Sequence, residues 1–388
     1  MDETEIEFDE INFKEEFSLK PTVVKSSKSA GNKSTKKQKK CYCELDQQRN
    51  ITIVLNTILK NISHKDNNEK NKNQYLTESE KEKKIVELIN KLVEKIEECD
   101  SNDKEVLTPN NISLLIPILP SEAVFNKVSK ESAVLETEED YDPADLFIIY
   151  IGVIVGYKER FQSILFKNEY KDIIKNIEIF IDFFNKGFDF ILNSQNLKKL
   201  FEIMLAIGNY MNGITNRGGA FGFKIDSLTK FVELKSKDNK TTLLNYIVDF
   251  IYEDLGNPVL IGNLLDNLKN FEQMEINSIN ELMNDLNKKF KILTTLKEKV
   301  AANKKDLDED DQVETFLNEN YEVIKKDIDQ IKKKVDQIQT KFEKVFKYLG
   351  EDKYDIEKFI ILFKNFYYKL KEANDEYQSQ KNKKHKKL

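Results

Sequence analysis

The chain has 388 residues, 39% hydrophobic and 34% charged, with a formal net charge of −6. Its 25 Phe and 15 Tyr are too many buried-type aromatics for a disordered chain, and its 6 Pro and 12 Gly are too few breakers for a β-sandwich, a barrel or a doubly wound fold. The acidic balance argues against a nucleic-acid binder, and no apolar run approaches the roughly 20 residues that cross a bilayer.

Residues 1–19 alternate acids with Phe8, Ile11, Phe13 and Phe17, which suits a short helix or an extended arm with aromatic anchors. From Lys20 to Lys40 the chain is rich in Lys and holds no acid, the composition of a flexible, self-repelling tether. Residues 44–62 predict a helix with Ile51, Leu55, Ile58, Leu59 and Ile62 on one face, and Ile53 lies off that stripe. The Asn- and Lys-rich stretch 63–80 reads as a disordered insertion. A second helix follows from Glu82 to Glu98, with Ile85, Leu88, Ile89, Leu92, Val93 and Ile96 in line. Thr108-Pro109, Ser121 and Asp142-Pro143 are helix starts, and the last opens an apolar helix through Val155. Ser278-x-x-Glu281 has the spacing of a capping box.

Cys41-x-Cys43, the distant Cys99 and the two His (His64, His385) form neither a tetrahedral metal set nor a Cys/His nucleophile pair, so no metal, cofactor or catalytic site is expected. The odd cysteine count and an acidic N-terminus without a secretory pattern point to a reducing, cytoplasmic setting.

Gly208, Gly213, Gly218, Gly219 and Gly222 crowd into one segment, between a helix ending near Ala206 and another beginning near Asp226. The flanks are helical and no Gly-Lys-Ser/Thr follows, so this is not a phosphate loop. It reads as a helix–loop–helix bend, and Tyr210, Phe221 and Phe223 point to a hydrophobic pocket. Further on, Leu317, Tyr321, Ile324, Ile328, Ile331, Val335, Ile338, Phe342, Val345 and Leu349 form an unbroken heptad seam about 50 Å long. Leu282 to Val300 is the expected antiparallel partner. Gly350 stops the seam helix, a last helix runs from Ile356 to Tyr377, and the tail is basic.

Gly208-Asn209-Tyr210-Met211-Asn212, then Arg217-Gly218-Gly219-Ala220-Phe221-Gly222-Phe223, then Lys235-Ser236-x-Asp238-x-Lys240-x-Thr242-Leu243-Leu244 together resemble the formin homology 2 domain. Leu45-Asp46-x-x-Arg49-Asn50-Ile51 is similar to the start of that family's knob, and Tyr348-x-Gly350-Glu351-Asp352 to its C-terminal pattern. The resemblance implies an all-α, elongated multi-helix domain. It is divided into a truncated lasso or arm (1–19), a linker (20–42), a knob (43–140, with the insertion near 63–80), coiled-coil and post regions (141–377) and a basic tail (378–388).

Such a domain binds actin, nucleates filaments and stays on the barbed end as a head-to-tail homodimer of the actin cytoskeleton; its chemistry is binding rather than catalysis. The family's two actin contacts map onto Ile53 and Lys235. Its post pocket, which receives the partner's lasso, maps onto Gly208, Asn209, Asn212, Arg217, Gly218 and Phe223. The sequence has no Trp, where the family's lasso usually carries two, so Phe8, Phe13 and Phe17 are the expected anchors and a weaker dimer is implied. It has no polyproline tract, so profilin recruitment is not implied. A coiled-coil scaffold or tether would also explain the seam and the Lys-rich arm, but not the glycine cluster.

Overall fold

A computed structural model describes residues 39–65, 77–135, 137–213, 218–351 and 355–385. The chain divides into two units, Met1–Lys40 and Cys41–Leu388. The expected anchors Phe8, Phe13 and Phe17 and most of the Lys-rich linker lie outside the described residues, as does residue 66–76 of the expected insertion.

The second unit is all-α. Its helices are α1 (Leu45–Lys65), α2 (Glu78–Glu97), α3 (Pro109–Leu115), α4 (Glu122–Ser132), α5 (Pro143–Gly152), α6 (Tyr157–Asn193), α7 (Gln195–Asn212), α8 (Leu228–Glu233), α9 (Leu243–Glu253), α10 (Pro258–Leu268), α11 (Ile276–Ala302), α12 (Val313–Leu349) and α13 (Ile356–His385). Among the described residues there is no strand, only an isolated antiparallel bridge between Lys235 and Thr242.

Three packing regions follow from where the apolar faces point. In the first, α5 lies against α1, α2 and α4. It is apolar almost all round, and Leu146, Phe147, Ile148 and Ile151 are buried, as suits a helix at the centre of a cluster. The expected caps are present: Thr108, Ser121 and Asp142 each accept from a backbone N–H of the first turn they precede. In the second region, α6, α11 and α12 form a three-helix bundle. The spacing predicts residues 282–300 as the partner of the seam; in the structure α6 packs on both α11 and α12 more extensively than those two pack on each other. The third region gathers α8, α9 and α10 on α13.

An aromatic cluster joins the second and third regions. Phe188 of α6 stacks on Phe342 of α12, Phe359 of α13 meets both, and Phe271 stacks on Phe363. Gly187 leaves room for the Phe271 ring, because a Cβ there would lie 3.1 Å from Phe271 Cε2 and would also displace the end of the Met274 side chain. Arg160 at the start of α6 and Asp311 in the loop before α12 form a buried bidentate pair, with Nη1–Oδ1 2.8 Å and Nη2–Oδ2 2.6 Å. The acidic loop therefore does more than turn the chain: it returns a carboxylate to α6.

Several boundaries differ from the expected ones. α2 starts at Glu78, inside the expected insertion, because Thr77 and Glu80 form a capping box ahead of the apolar stripe. α5 ends at Gly152 rather than running through Val155. Val153 turns out to solvent, and Gly156 takes a left-handed φ of 67° that starts α6 in a new direction. α7 continues past Ala206 to Asn212: a single Gly208 costs a helix only about 1 kcal/mol, and the helix stops at Gly213, which takes a φ of 52° and donates back to the Asn209 and Tyr210 carbonyls. Ser278 is not an N-cap: α11 begins at Ile276, and the Ser278 hydroxyl donates to Glu275 at 2.9 Å. α13 runs to His385, through most of the segment expected as a basic tail. No helix among the described residues is long and apolar enough to cross a membrane.

Candidate functional site

On α1, Ile51, Leu55 and Ile58 are buried while Ile53 is 63% exposed. At 3.6 residues per turn, Ile53 sits about 200° from both Ile51 and Leu55, on the far side of the helix from the core. Its carbonyl accepts from the Thr57 hydroxyl at 2.8 Å, so the backbone beneath it is regular helix. An apolar side chain is thus held outward on a rigid element.

Lys235 is exposed on a short loop between α8 and α9. Several bonds fix this loop. The Leu243 N–H donates to Leu234 at 2.8 Å, the Ser236 N–H to Thr241 at 2.9 Å, and the Ser236 hydroxyl to Asp238 at 2.6 Å. That hydroxyl, and then the Lys240 N–H, hold the Asp238 carboxyl below its ordinary range. Thr242 and Asn245 close the loop with a capping box at the start of α9.

Gly208, Asn209, Asn212 and Phe223 come together at the mouth of a cleft of about 250 Å³ between the end of α7, the glycine-rich segment and α8. Met204, Phe231 and Leu234 supply its apolar wall. Gly218 is described but does not line the cleft, and Arg217 lies outside the described residues. Asn209 ties the segment to α7 through both amide atoms: Nδ2 donates to the Ala220 carbonyl at 2.9 Å, and the Ala220 N–H donates to Oδ1 at 2.8 Å. The Phe223 ring meets Phe201 edge-on at 5.6 Å and lies 5.8 Å from Phe231. Just beyond, Glu351 accepts from the Ile225 N–H at 2.8 Å and pairs with Lys224 at 3.2 Å, which anchors the segment to the end of α12. Around this fixed backbone, Tyr210 is 88% exposed, and Met211 and Phe221 also point to solvent. The result is a cleft with an apolar wall, polar side chains Asn209, Asn212, Ser227 and Lys230 among its lining, and exposed apolar side chains at its rim.

A profile of the Formin Homology 2 Domain matches residues 1–371. This chain belongs to that family. The FH2 match takes in the N-terminal arm as well as the helical unit. The domain is 36% identical to Formin-A of Dictyostelium discoideum over 155 residues, 39% of this chain and 12% of that protein. It is 26% identical to Protein diaphanous of Drosophila melanogaster over 266 residues, 68% of this chain and 24% of that protein. With Disheveled-associated activator of morphogenesis 1 of Mus musculus the identity is 30% over 181 residues, 46% of this chain and 16% of that protein. The chain thus spans less than a quarter of the length of these relatives.

Some residues of the FH2 cleft escape a motif reading. Met204 and Phe231 carry no special chemistry, and the signal that could find them is their place in the helical stripes of α7 and α8. Glu351 is legible only as part of a C-terminal pattern; that it clamps Ile225, 126 residues away, is a tertiary fact.

Proposed function

We propose that this FH2 domain binds actin and drives filament assembly, nucleating filaments and remaining on the growing barbed end, in the cytoplasmic actin cytoskeleton. The observation that carries the reading is Ile53, an exposed apolar side chain on a helix whose other apolar residues turn inward. Such a residue can enter a hydrophobic cleft of a partner, as a helix face enters a groove. Lys235, presented on its braced loop, is the second contact and meets an acidic surface through its charge.

The working unit is a homodimer. The cleft formed by Gly208, Asn209, Asn212 and Phe223, with Gly218 and Arg217 beside it in sequence, receives the arm of a second copy through Phe8, Phe13 and Phe17. Once one arm docks, the second docking is intramolecular and proceeds at a raised effective concentration. The chain acts by binding and carries out no covalent chemistry. A free coiled-coil scaffold is disfavoured, because Ile324, Ile328, Ile331, Ile338 and Phe342 of the seam are buried within this chain and leave no seam for a second one.

Fluorescence-monitored assembly of pyrene-labelled actin tests the reading. The full chain at nanomolar concentration is expected to shorten the lag, and to hold filament barbed ends against a capping factor. An unchanged lag together with unprotected barbed ends would overturn it.

A further inference from the structure

Cys41-x-Cys43 offers too few ligands by itself, but the fold brings a third donor to it from the first turn of α5, 104 residues on from Cys41 in the sequence. Cys41 Sγ, Cys43 Sγ and a carboxylate oxygen of Asp145 all lie within 4.8 Å of one another. We propose that these three side chains form a binding site for a thiophilic divalent cation of the zinc class.

The geometry fits such an ion. Zinc bonds of about 2.3 Å to sulfur and 2.1 Å to oxygen give tetrahedral edges of about 3.8 Å between sulfurs and about 3.6 Å between sulfur and oxygen. Here Cys41 Sγ lies 3.5 Å from Asp145 Oδ1 and 3.2 Å from Cys43 Sγ. The Cys41–Asp145 edge already matches, the sulfur pair has to open by about half an ångström, Cys43 Sγ lies within 4.8 Å of the carboxylate, and neither thiol is in a disulfide.

Asp145 is fully buried in the first turn of α5, and both its oxygens are oriented by backbone donors. The Tyr42 N–H donates to Oδ2 at 2.8 Å and the Cys43 N–H to Oδ1 at 3.0 Å. Outer hydrogen bonds of this kind hold a metal-binding carboxylate in place. Two sulfur donors with one oxygen donor match a borderline-soft cation better than magnesium or calcium, which take oxygen ligands alone. The half-buried side of Cys41 leaves the fourth position to water. A bound ion would pin residues 41–43 to α5 at the point where the chain enters α1.

The test is a titration of the full chain, kept reduced with a phosphine, with Co²⁺ alone and then with Zn²⁺. The proposal expects a sulfur-to-cobalt charge-transfer band that saturates at one ion per chain and is displaced by Zn²⁺. The Cys41→Ser variant should bind at least tenfold more weakly while melting like the wild type without metal. Cys99→Ser, which alters the third thiol elsewhere in the fold, should bind like the wild type. Zn²⁺ should also raise the melting midpoint of the wild type and not that of Cys41→Ser. The absence of a saturable band, a band equally strong in Cys41→Ser, or its loss in Cys99→Ser would each overturn the proposal.

Discussion

The α6–α11–α12 bundle and the rim of the α7–α8 cleft draw on the same residue types and place them in opposite ways. In the bundle, Leu293 and Leu296 of α11 and Ile324, Ile328 and Ile331 of α12 are all buried, with almost no surface left to water. At the rim, Tyr210, Met211 and Phe221 stand in solvent, although Asn209 and Glu351 hold the backbone beside them in place. Exposure at the rim is therefore not looseness. An ordered backbone that presents apolar side chains outward is a surface prepared for a partner, whereas the bundle is a surface already satisfied. Helix α1 shows both in one element, with Ile58 inside and Ile53 outside.

The comparison breaks most readily at the buried ion pair. Asp311→Ala leaves Arg160 charged and unpaired in the bundle and is expected to cost about 3–5 kcal/mol in urea unfolding. A loss under about 1 kcal/mol would mean that water reaches the pair and that the bundle is less closed than described.

Next in size is the contrast between a seam residue and a rim residue. Ile331→Ala should cost about 2–5 kcal/mol. Phe221→Ala, at a fully exposed position, should leave unfolding within about 0.5 kcal/mol of the wild type and weaken self-association about tenfold, read by light scattering over a dilution series. Deleting residues 1–19 should act in the same direction, with monomer appearing at low micromolar protein. A dimer indifferent to both changes would place its contacts away from the cleft.

Much of this division is legible in the sequence, because it rests on period. The spacing of Leu317 through Leu349 gives the seam, and the offset of Ile53 from Ile51 and Leu55 gives its outward direction. The caps at Thr108, Ser121 and Asp142 are local chemistry and are read correctly for the same reason. What is not legible is non-local. Nothing in the periodicity of α12 favours α6 over α11 as its larger partner. Neither does anything in Cys41-x-Cys43 announce Asp145, or in Asp311 announce Arg160. Ser278 fails as a cap because the helix already starts at Ile276, two residues before it, which the motif cannot report. Gly208 misleads about the end of α7 because one glycine costs a helix little, and the helix stops only at Gly213.

The smallest effect concerns charge. Lys235→Asp should weaken filament-end binding by more than Lys235→Ala, and added salt should narrow the difference between the variants and the wild type. Equal behaviour of the two variants, or no response to salt, would show that Lys235 does not act through its charge.

The central claim is that Ile53 belongs to the surface and not to the fold, and one paired measurement addresses it. Ile53→Ala is to be followed by thermal unfolding and by pyrene-actin assembly in the same preparation. The account predicts a melting midpoint close to that of the wild type, as expected for an exposed side chain, together with loss of filament nucleation. A large fall in the melting midpoint, or nucleation that survives the substitution, would contradict it.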